Sequence, residues 1–560
     1  MTDSGTPRRE FLFAAAAAAT SFAFGPRVLL PRPAAIDLII RGATVIDGTG
    51  RPGFITDVAV TGKRIAAIGR NMKSSAREEI DGKGLALAPG FVDVHSHADG
   101  TLFDDPHAES IIRQGVTTVV VGQDGSSRAP HVPREAEGDG DAAALATMAD
   151  VFRSLDQLAP AINVASMVGL GTIRGAVVGS ADRPATAQEM KRMRALVDRA
   201  LSDGACGAST GLEYTPGAFA PRDELIELSR PLATARRGVR LPYATHMRNE
   251  DDQLIEAVDE AIAVARGARC ALQISHLKTQ GPRNWKKLGE VFAHIEQART
   301  AGIDVQFDRY PYVAYQTGLS NLFPVWAKDG GTEPFLKRLT DPATAERVHT
   351  ESVAKVDLIA GWDNVMISGV VNEADRHAEG QRLGSLAQAM GQDPYALAVA
   401  MLQRNRGDVG MVGFAMSEEN LERILAHPLG MVCSDGGAFA VDGKARRGHP
   451  HPRGLGTFPR VLSRYVRDRH ALTLEQAVHK MTAQPASRVG LVNRGRIAVG
   501  MAADLVLFDP ATIEDKATFA DPFQYPVGIQ LVMVNGAVAL RDGQRGAVLA
   551  GGALRAGNRA

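Results

Sequence analysis

The feature that most constrains this chain is an alternation of short apolar runs with helix-length amphipathic stretches, the pattern of parallel β/α units. Eight runs carry it: Phe91 to Val94, Val119 to Val121, Asn163 to Val168, Ala205 to Ser209, Leu241 to Thr245, Ala271 to Ser275, Ile303 to Phe307 and Met431 to Ser434. The stretches between them include Asp150 to Ala159, Ala187 to Leu201, Asp251 to Arg266 and Lys286 to Ala301. Eight units predict an α/β chain folded as a closed (β/α)8 TIM barrel, over residues 89–494. The seventh and eighth runs lie far apart. Structureless loops that long are uncommon, so an inserted subdomain or lid is expected after Tyr312, over about 313–385.

The two ends read differently. Ile36 to Ile40, Thr44 to Ile46, Asp57 to Val60 and Arg64 to Ile68 are strand-like runs split by Gly, Asp and Asn. Ala503 to Phe508 and Leu531 to Val534 repeat the pattern, and Asn535-Gly536 is a hairpin signal. Residues 36–88 and 495–556 are therefore expected to form one small composite β-sandwich domain beside the barrel.

With 63 basic and 63 acidic residues the formal net charge is zero, which argues against a nucleic-acid partner. Cys206, Cys270 and Cys433 are an odd number in apolar surroundings and read as reduced core thiols. At the N-terminus Arg8-Arg9 precedes Phe11-Leu12, an apolar run from Ala14 to Ala19 and a Pro-rich stretch through Pro33. Residues 1–35 thus resemble a twin-arginine signal peptide, which implies the twin-arginine export machinery as a partner and a periplasmic or secreted protein. The apolar run is too short to span a bilayer, so no stable membrane anchor is expected.

In a barrel of this type the chemistry sits where strands end, and the residues directly after several of these runs are metal-ligand types. The first run ends in His95-Ser96-His97, whose two-residue spacing turns both imidazoles to the same side. The fifth run is followed by His246, the sixth by His276 and the eighth by Asp435. Four histidines and a carboxylate suit Zn²⁺, one or two per chain. Singly, each histidine is more often a core or surface residue than a ligand; their joint placement is what carries the reading.

Pro89-Gly90-Phe91-Val92-Asp93-Val94-His95-Ser96-His97 resembles the opening signature of the amidohydrolase superfamily. Thr245-His246-Met247-Arg248-Asn249-Glu250, Ser275-His276-Leu277-Lys278, Asp308-Arg309-Tyr310-Pro311-Tyr312 and His451-Pro452-Arg453 resemble its N-acyl-D-amino-acid deacylase branch, as does Gly211 to Gly217. The resemblance implies that His95 and His97 hold one metal position with Asp435, and His246 and His276 the other. It places Lys278 and Tyr310 near the substrate and gives Arg453 the substrate carboxylate, a role that suits a planar guanidinium. It implies hydrolysis of a small linear amide with a free carboxylate, in which a metal activates water and Asp435 carries the proton as general base and acid. Either His246 or Lys278 is a candidate to stabilise the oxyanion.

One departure stands out. The branch carries a metal-ligating cysteine after the second strand, in a Gly-Asn-Cys-Gly context, where this chain reads Gly122-Gln123-Asp124-Gly125. Asp124 offers a harder carboxylate ligand able to bridge two cations, and as Asp-Gly it is also a common turn residue. Glu213 is the second candidate for an acidic ligand. Two other functions fit the same fold. A cyclic amide hydrolase of the hydantoinase or dihydroorotase kind needs a lysine after the fourth strand, and Ala205 to Gly211 has none. A silent scaffold would have shed ligands that are all present here.

Overall fold

The computed structural model describes residues 36–131, 147–234 and 239–557. The expected signal peptide over 1–35 lies outside the described residues. No helix among the described residues is long and apolar enough to cross a membrane.

The barrel strands are Phe91–Asp93, Val116–Val121, Asn163–Ser166 continuing into Val168–Gly169, Ala208–Gly211, Pro242–His246, Ala271–Ile274, Val305–Arg309 and Gly430–Val432. Each pairs in parallel with its chain neighbour, the third strand joining its two halves at Met167, whose N–H donates to Val121 O. The barrel closes between eighth and first strands just beyond their regular ends. Asp435 N–H donates to His95 O at 2.9 Å, and His97 N–H to Gly436 O at 2.9 Å. Ser434 seals the same seam, its N–H donating to Asp93 Oδ1 at 2.8 Å. Strand Val116–Val121 is buried at all six positions, which is why these strands read as unbroken apolar runs.

The helices follow from caps and amphipathic spacing. Met148–Leu158 and Ala187–Asp203 each begin at a threonine, Thr147 and Thr186, whose hydroxyl accepts from the N–H three residues on while that residue's carboxylate reaches back. The first presents Val151, Phe152 and Leu155 to the core, and the second Met193, Val197 and Leu201.

Both chain ends enter one hydrogen-bonded nine-stranded sheet, joined where Ala86–Pro89 pairs antiparallel with Leu505–Phe508. Alternation gives this sheet two jobs. Leu87, Leu505 and Leu507 turn into the small domain's own core with Leu38, Ile40, Val58 and Leu531. Ala86, Ala88, Val506 and Phe508 turn the other way into the barrel's core.

Between the seventh and eighth strands lies a three-stranded antiparallel sheet of Ala314–Gly318, Val365–Val370 and Val409–Phe414, with helices Thr332–Arg338, Ala345–Leu358, Leu383–Ala389 and Pro394–Arg404. The unit runs on past 385 to Phe414 because Val409–Phe414 is its central strand. Cys206, Cys270 and Cys433 are buried and free, and burial pushes the Cys206 thiol up to about 12.

Candidate metal centre and active site

The residues singled out at strand ends converge on one place: His97, Asp124, His246, His276 and Asp435 line one cavity, and His95 is buried against them. His246 is the last residue of the fifth strand; His95, His276, Asp124 and Asp435 come two or three residues after their strands, and His97 four. Asp124 is held between two glycines at positive φ. A Cβ on Gly122 would meet Met167 O at 2.2 Å and one on Gly125 would meet Gly211 N at 2.7 Å, so the turn is packed against the third and fourth strands with no room for other residues.

The carboxylate so placed is the hub of the site. Asp124 Oδ2 lies 3.5 Å from Nε2 of His95, His97 and His276, and 3.9 Å from His246 Nδ1. Asp435 Oδ1 lies 3.0 Å from His97 Nε2 and 3.5 Å from His95 Nε2. Two ligand-competent groups result, His95, His97, Asp124 and Asp435 on one side and Asp124, His246 and His276 on the other, each with its donor atoms within 4.8 Å of one another. Asp124 belongs to both.

These residues fit a metal on grounds beyond residue type. Buried polar atoms are normally hydrogen-bonded, yet both ring nitrogens of His95 and Oδ1 of Asp124 have no hydrogen-bond partner among the described residues. A mixed set of imidazole nitrogens and carboxylate oxygens is what zinc takes, with room for one ion or two about a shared carboxylate. Burial disfavours the charge on Asp124, but His95 and His276 beside it hold its carboxyl well below the usual carboxylate range. Burial likewise opposes the proton on His97, but Asp124 and Asp435 outweigh it and lift the imidazole to about 9.

Behind the histidines stands an outer set of carboxylates that strand-end spacing does not assign. Asp308 Oδ1 accepts from His276 N–H at 2.7 Å and sits 3.5 Å from His95 Nδ1, while its Oδ2 accepts from Gln273 Nε2 at 2.7 Å. Glu250 Oε1 lies 3.2 Å from His276 Nδ1, and its Oε2 accepts from Lys278 Nζ at 2.6 Å. Such partners bear on which ring nitrogen carries the proton: a cation on Nε2 of His276 requires Nδ1–H, and Glu250 Oε1, itself without a hydrogen-bond partner among the described residues, is the carboxylate oxygen that faces it. Lys278 Nζ also lies 2.8 Å from that Nδ1; an ammonium only donates, so this contact is a hydrogen bond only while Nδ1 carries no proton. Glu250 stands four residues beyond the end of the fifth strand and Asp308 within the seventh; what marks them in the sequence is their place in the stretches Thr245 to Glu250 and Asp308 to Tyr312.

Glu213 lies 3.5 Å from His246 Nε2, the side away from Asp124, and accepts from Asn321 Nδ2 at 3.0 Å. Together with His246 and Glu250 it forms a third cluster of ligand-type groups. Lys278 at 2.6 Å from Glu250 and Lys355 at 3.8 Å from Glu213 already neutralise its two carboxylates, which leaves it a supporting network for His246.

Asp435 faces two ways. Its Oδ2 is 2.7 Å from Arg453 Nη1, and against opposing burial Arg453 and then His95 hold its carboxyl well below the usual range. Arg453 opens helix Arg453–Arg460 and lies over the Tyr310 ring, 4.6 Å from its centroid. Arg453 Nε and the Tyr310 hydroxyl are buried donors without an acceptor among the described residues. They line, with Lys278, Asp124, His246, His276 and Asp435, a cavity of about 700 Å³.

A model of the amidohydrolase family matches residues 78–333 and 438–540. The N-acyl-D-glutamate deacylase of Alcaligenes xylosoxydans xylosoxydans is 38% identical over 508 residues, 90% of this chain and 93% of that protein. The chain belongs to the amidohydrolase family. Within the family its likeness is to the N-acyl-D-amino-acid deacylase branch. The N-acyl-D-glutamate deacylase of Bordetella bronchiseptica, solved with zinc and a phosphonate mimic of the tetrahedral intermediate, is 36% identical and superposes with a TM-score of 0.79 over 93% of this amidohydrolase and 100% of that chain. A D-aminoacylase with a binuclear metal centre, described as activated by one metal and attenuated by the second, is 38% identical with a TM-score of 0.78 over 93% of this chain and all of that one.

Proposed function

We propose that this amidohydrolase is a zinc-dependent deacylase that hydrolyses the amide bond of N-acyl-D-amino acids. The observation that carries it is the shared Asp124 carboxylate among four histidines at the floor of a cavity whose wall offers two unpaired buried donors, Arg453 Nε and the Tyr310 hydroxyl. Unpaired buried donors on a cavity wall are acceptor sites waiting for a ligand, and a carboxylate is the anion a guanidinium and a phenol hold best.

His95, His97 and Asp435 would hold one zinc and His246 and His276 the other, with Asp124 as the ligand common to both. When bound, zinc supplies Lewis acidity to the amide carbonyl and to the attacking water. Arg453 and Tyr310 fix the substrate's α-carboxylate, which sets the distance from that group to the scissile bond. Asp435, with one oxygen turned to the histidines and the other held by Arg453, takes the proton from the water and returns it to the leaving amine. Lys278, anchored by Glu250, presents its ammonium to the same cavity as a donor to the developing oxyanion. The fourth strand, Ala208–Gly211, carries no lysine, which counts against the cyclic-amide reading.

The D-preference is supported by the relatives at 38% identity. The export reading belongs to the same proposal and is supported by Arg8-Arg9 with the apolar run after it. The zinc-loaded full chain is expected to release amino acid from N-acetyl-D-amino acids and not from their L-enantiomers. Hydrolysis of the L-series alone would overturn the stereochemical part, and no hydrolysis of either after zinc loading would overturn the whole.

A further inference from the structure

Identity does not say which D-amino acid the enzyme takes, because relatives named for D-glutamate, for D-aspartate and as a general D-aminoacylase are all 38% identical to this chain. The cavity does discriminate. Resting on the deacylase function proposed for the same site, we infer that the enzyme is selective for substrates whose amino-acid side chain is uncharged, and rejects those with an acidic side chain.

The argument is a matching of charges. An N-acyl amino acid brings one α-carboxylate; an acidic side chain brings a second. Among the described residues that line the cavity, only Lys278 and Arg453 are lysine or arginine. Arg453 is 2.7 Å from Asp435 and Lys278 is 2.6 Å from Glu250, so both are already committed to buried carboxylates. The α-carboxylate engages Arg453. A second carboxylate would then find no cation of its own.

What it would meet instead carries no free positive charge. Four carboxylates line the same cavity: Asp124, Glu213, Glu250 and Asp435. The remaining polar wall is made of hydroxyls and amides, among them Ser126, Thr172, Ser180, Gln316 and Thr317. Such groups can hydrogen-bond a neutral amide or hydroxyl, but they do not neutralise a desolvated anion, and an unpaired buried charge selects strongly against a partner.

Two further lysines among the described residues lie behind the wall and do not line the cavity. Lys328 and Lys355 line a separate cavity of about 230 Å³ behind Glu213 and Asn321. Those two residues line both cavities and are joined by the 3.0 Å hydrogen bond from Asn321 Nδ2 to Glu213 Oε2, which closes the wall between them. Lys355 is in addition bound to Asp251 at 2.6 Å. The inserted unit therefore contributes its helix Ala345–Leu358 to the support of the site while keeping that helix's lysine away from the substrate.

Glutamine and glutamate differ in charge at almost the same shape, and so do asparagine and aspartate. The test is kcat/KM of the zinc-loaded full chain on N-acetyl-D-glutamine against N-acetyl-D-glutamate, and on the asparagine and aspartate pair, under one buffer and salt. The neutral member of each pair is expected to be preferred by at least about 100-fold. Equal values, or preference for the acidic member, would overturn the inference while leaving the deacylase reading standing. Absence of hydrolysis on all four, and on N-acetyl-D-leucine and N-acetyl-D-methionine as well, would instead remove the reading on which the inference rests.

Discussion

Glu250→Gln isolates the outer support of the metal centre from the ligands themselves. Glu250 is 2% exposed; its Oε2 accepts from Lys278 Nζ at 2.6 Å, and its Oε1, without a hydrogen-bond partner among the described residues, faces His276 Nδ1 at 3.2 Å. At an effective dielectric of about 20 the Lys278 contact alone is a gross attraction of about 6 kcal/mol. Breaking such a buried pair from one side costs about 3–5 kcal/mol, because the ammonium is left desolvated. The glutamine is nearly isosteric but has only one acceptor oxygen, so it serves Lys278 or His276 and not both. A cation on Nε2 of His276 needs a proton on Nδ1, and the variant leaves no carboxylate oxygen facing it. The expected consequence is a zinc affinity about 10- to 100-fold weaker, the range seen when such partners of a metal ligand are removed. Chelator competition on the purified variant, with zinc per chain by elemental analysis and far-ultraviolet circular dichroism as a folding control, reads this directly. A folded Glu250→Gln protein that holds zinc within about twofold of the parent would show that Glu250 does not set the tautomer of His276.

The other expectations concern the reacting groups. Asp435→Asn removes the proton carrier and should lower kcat by about 10²- to 10⁴-fold, measured at saturating substrate and zinc, with KM little changed. Arg453→Lys exchanges a bidentate donor for a point charge; kcat/KM for N-acetyl-D-amino acids should fall by about 10- to 100-fold, mostly through KM, whereas substrates in which the α-carboxylate is an amide should be affected far less. Stripping zinc with a chelator should abolish hydrolysis, and titrating zinc back should restore it; turnover that persists in the metal-free chain would contradict the proposed chemistry.

The inner site was legible because barrel topology converts a local observation into a spatial one. His95, His97, His246, His276, Asp124 and Asp435 each come after an apolar run, and parallel strands bring all their ends to one rim. The outer carboxylates were not, because their roles cross from strand to strand. Glu250 lies in the loop after the fifth strand but serves His276 and Lys278 beyond the sixth, and Asp308 on the seventh strand serves both His95 and His276. The extent of the inserted unit was hidden for a related reason: Val409–Phe414 pairs with Ala314–Gly318, about a hundred residues earlier, and nothing local in either strand announces the other.

Backbone conformation explains how side chains from separate strands converge on so small a volume. Asp124, His276 and Asp435 all have positive φ, of 51°, 36° and 50°. A residue in this region breaks the two-residue pleat and redirects its side chain, so the strand that delivered it no longer dictates where it points. For a residue other than glycine that conformation costs about 1–2 kcal/mol, least for Asp, Asn and His, whose polar side chains tolerate it. Three such residues in one site persist only if the surroundings over-determine each of them. The structure supplies a specific restraint at every one. Asp435 N–H is tied to His95 O across the closing seam. His276 N–H is tied to the Asp308 carboxylate. Asp124 is held through the next residue, whose N–H donates to Ser209 Oγ at 3.1 Å. Asp308 thus acts on the centre twice, by facing the His95 ring and by bending the backbone that presents His276. The ligand types at these positions follow from the same restraint: Asp and His both coordinate zinc and tolerate the turned-in backbone, so the metal chemistry and the local conformation select the same residues.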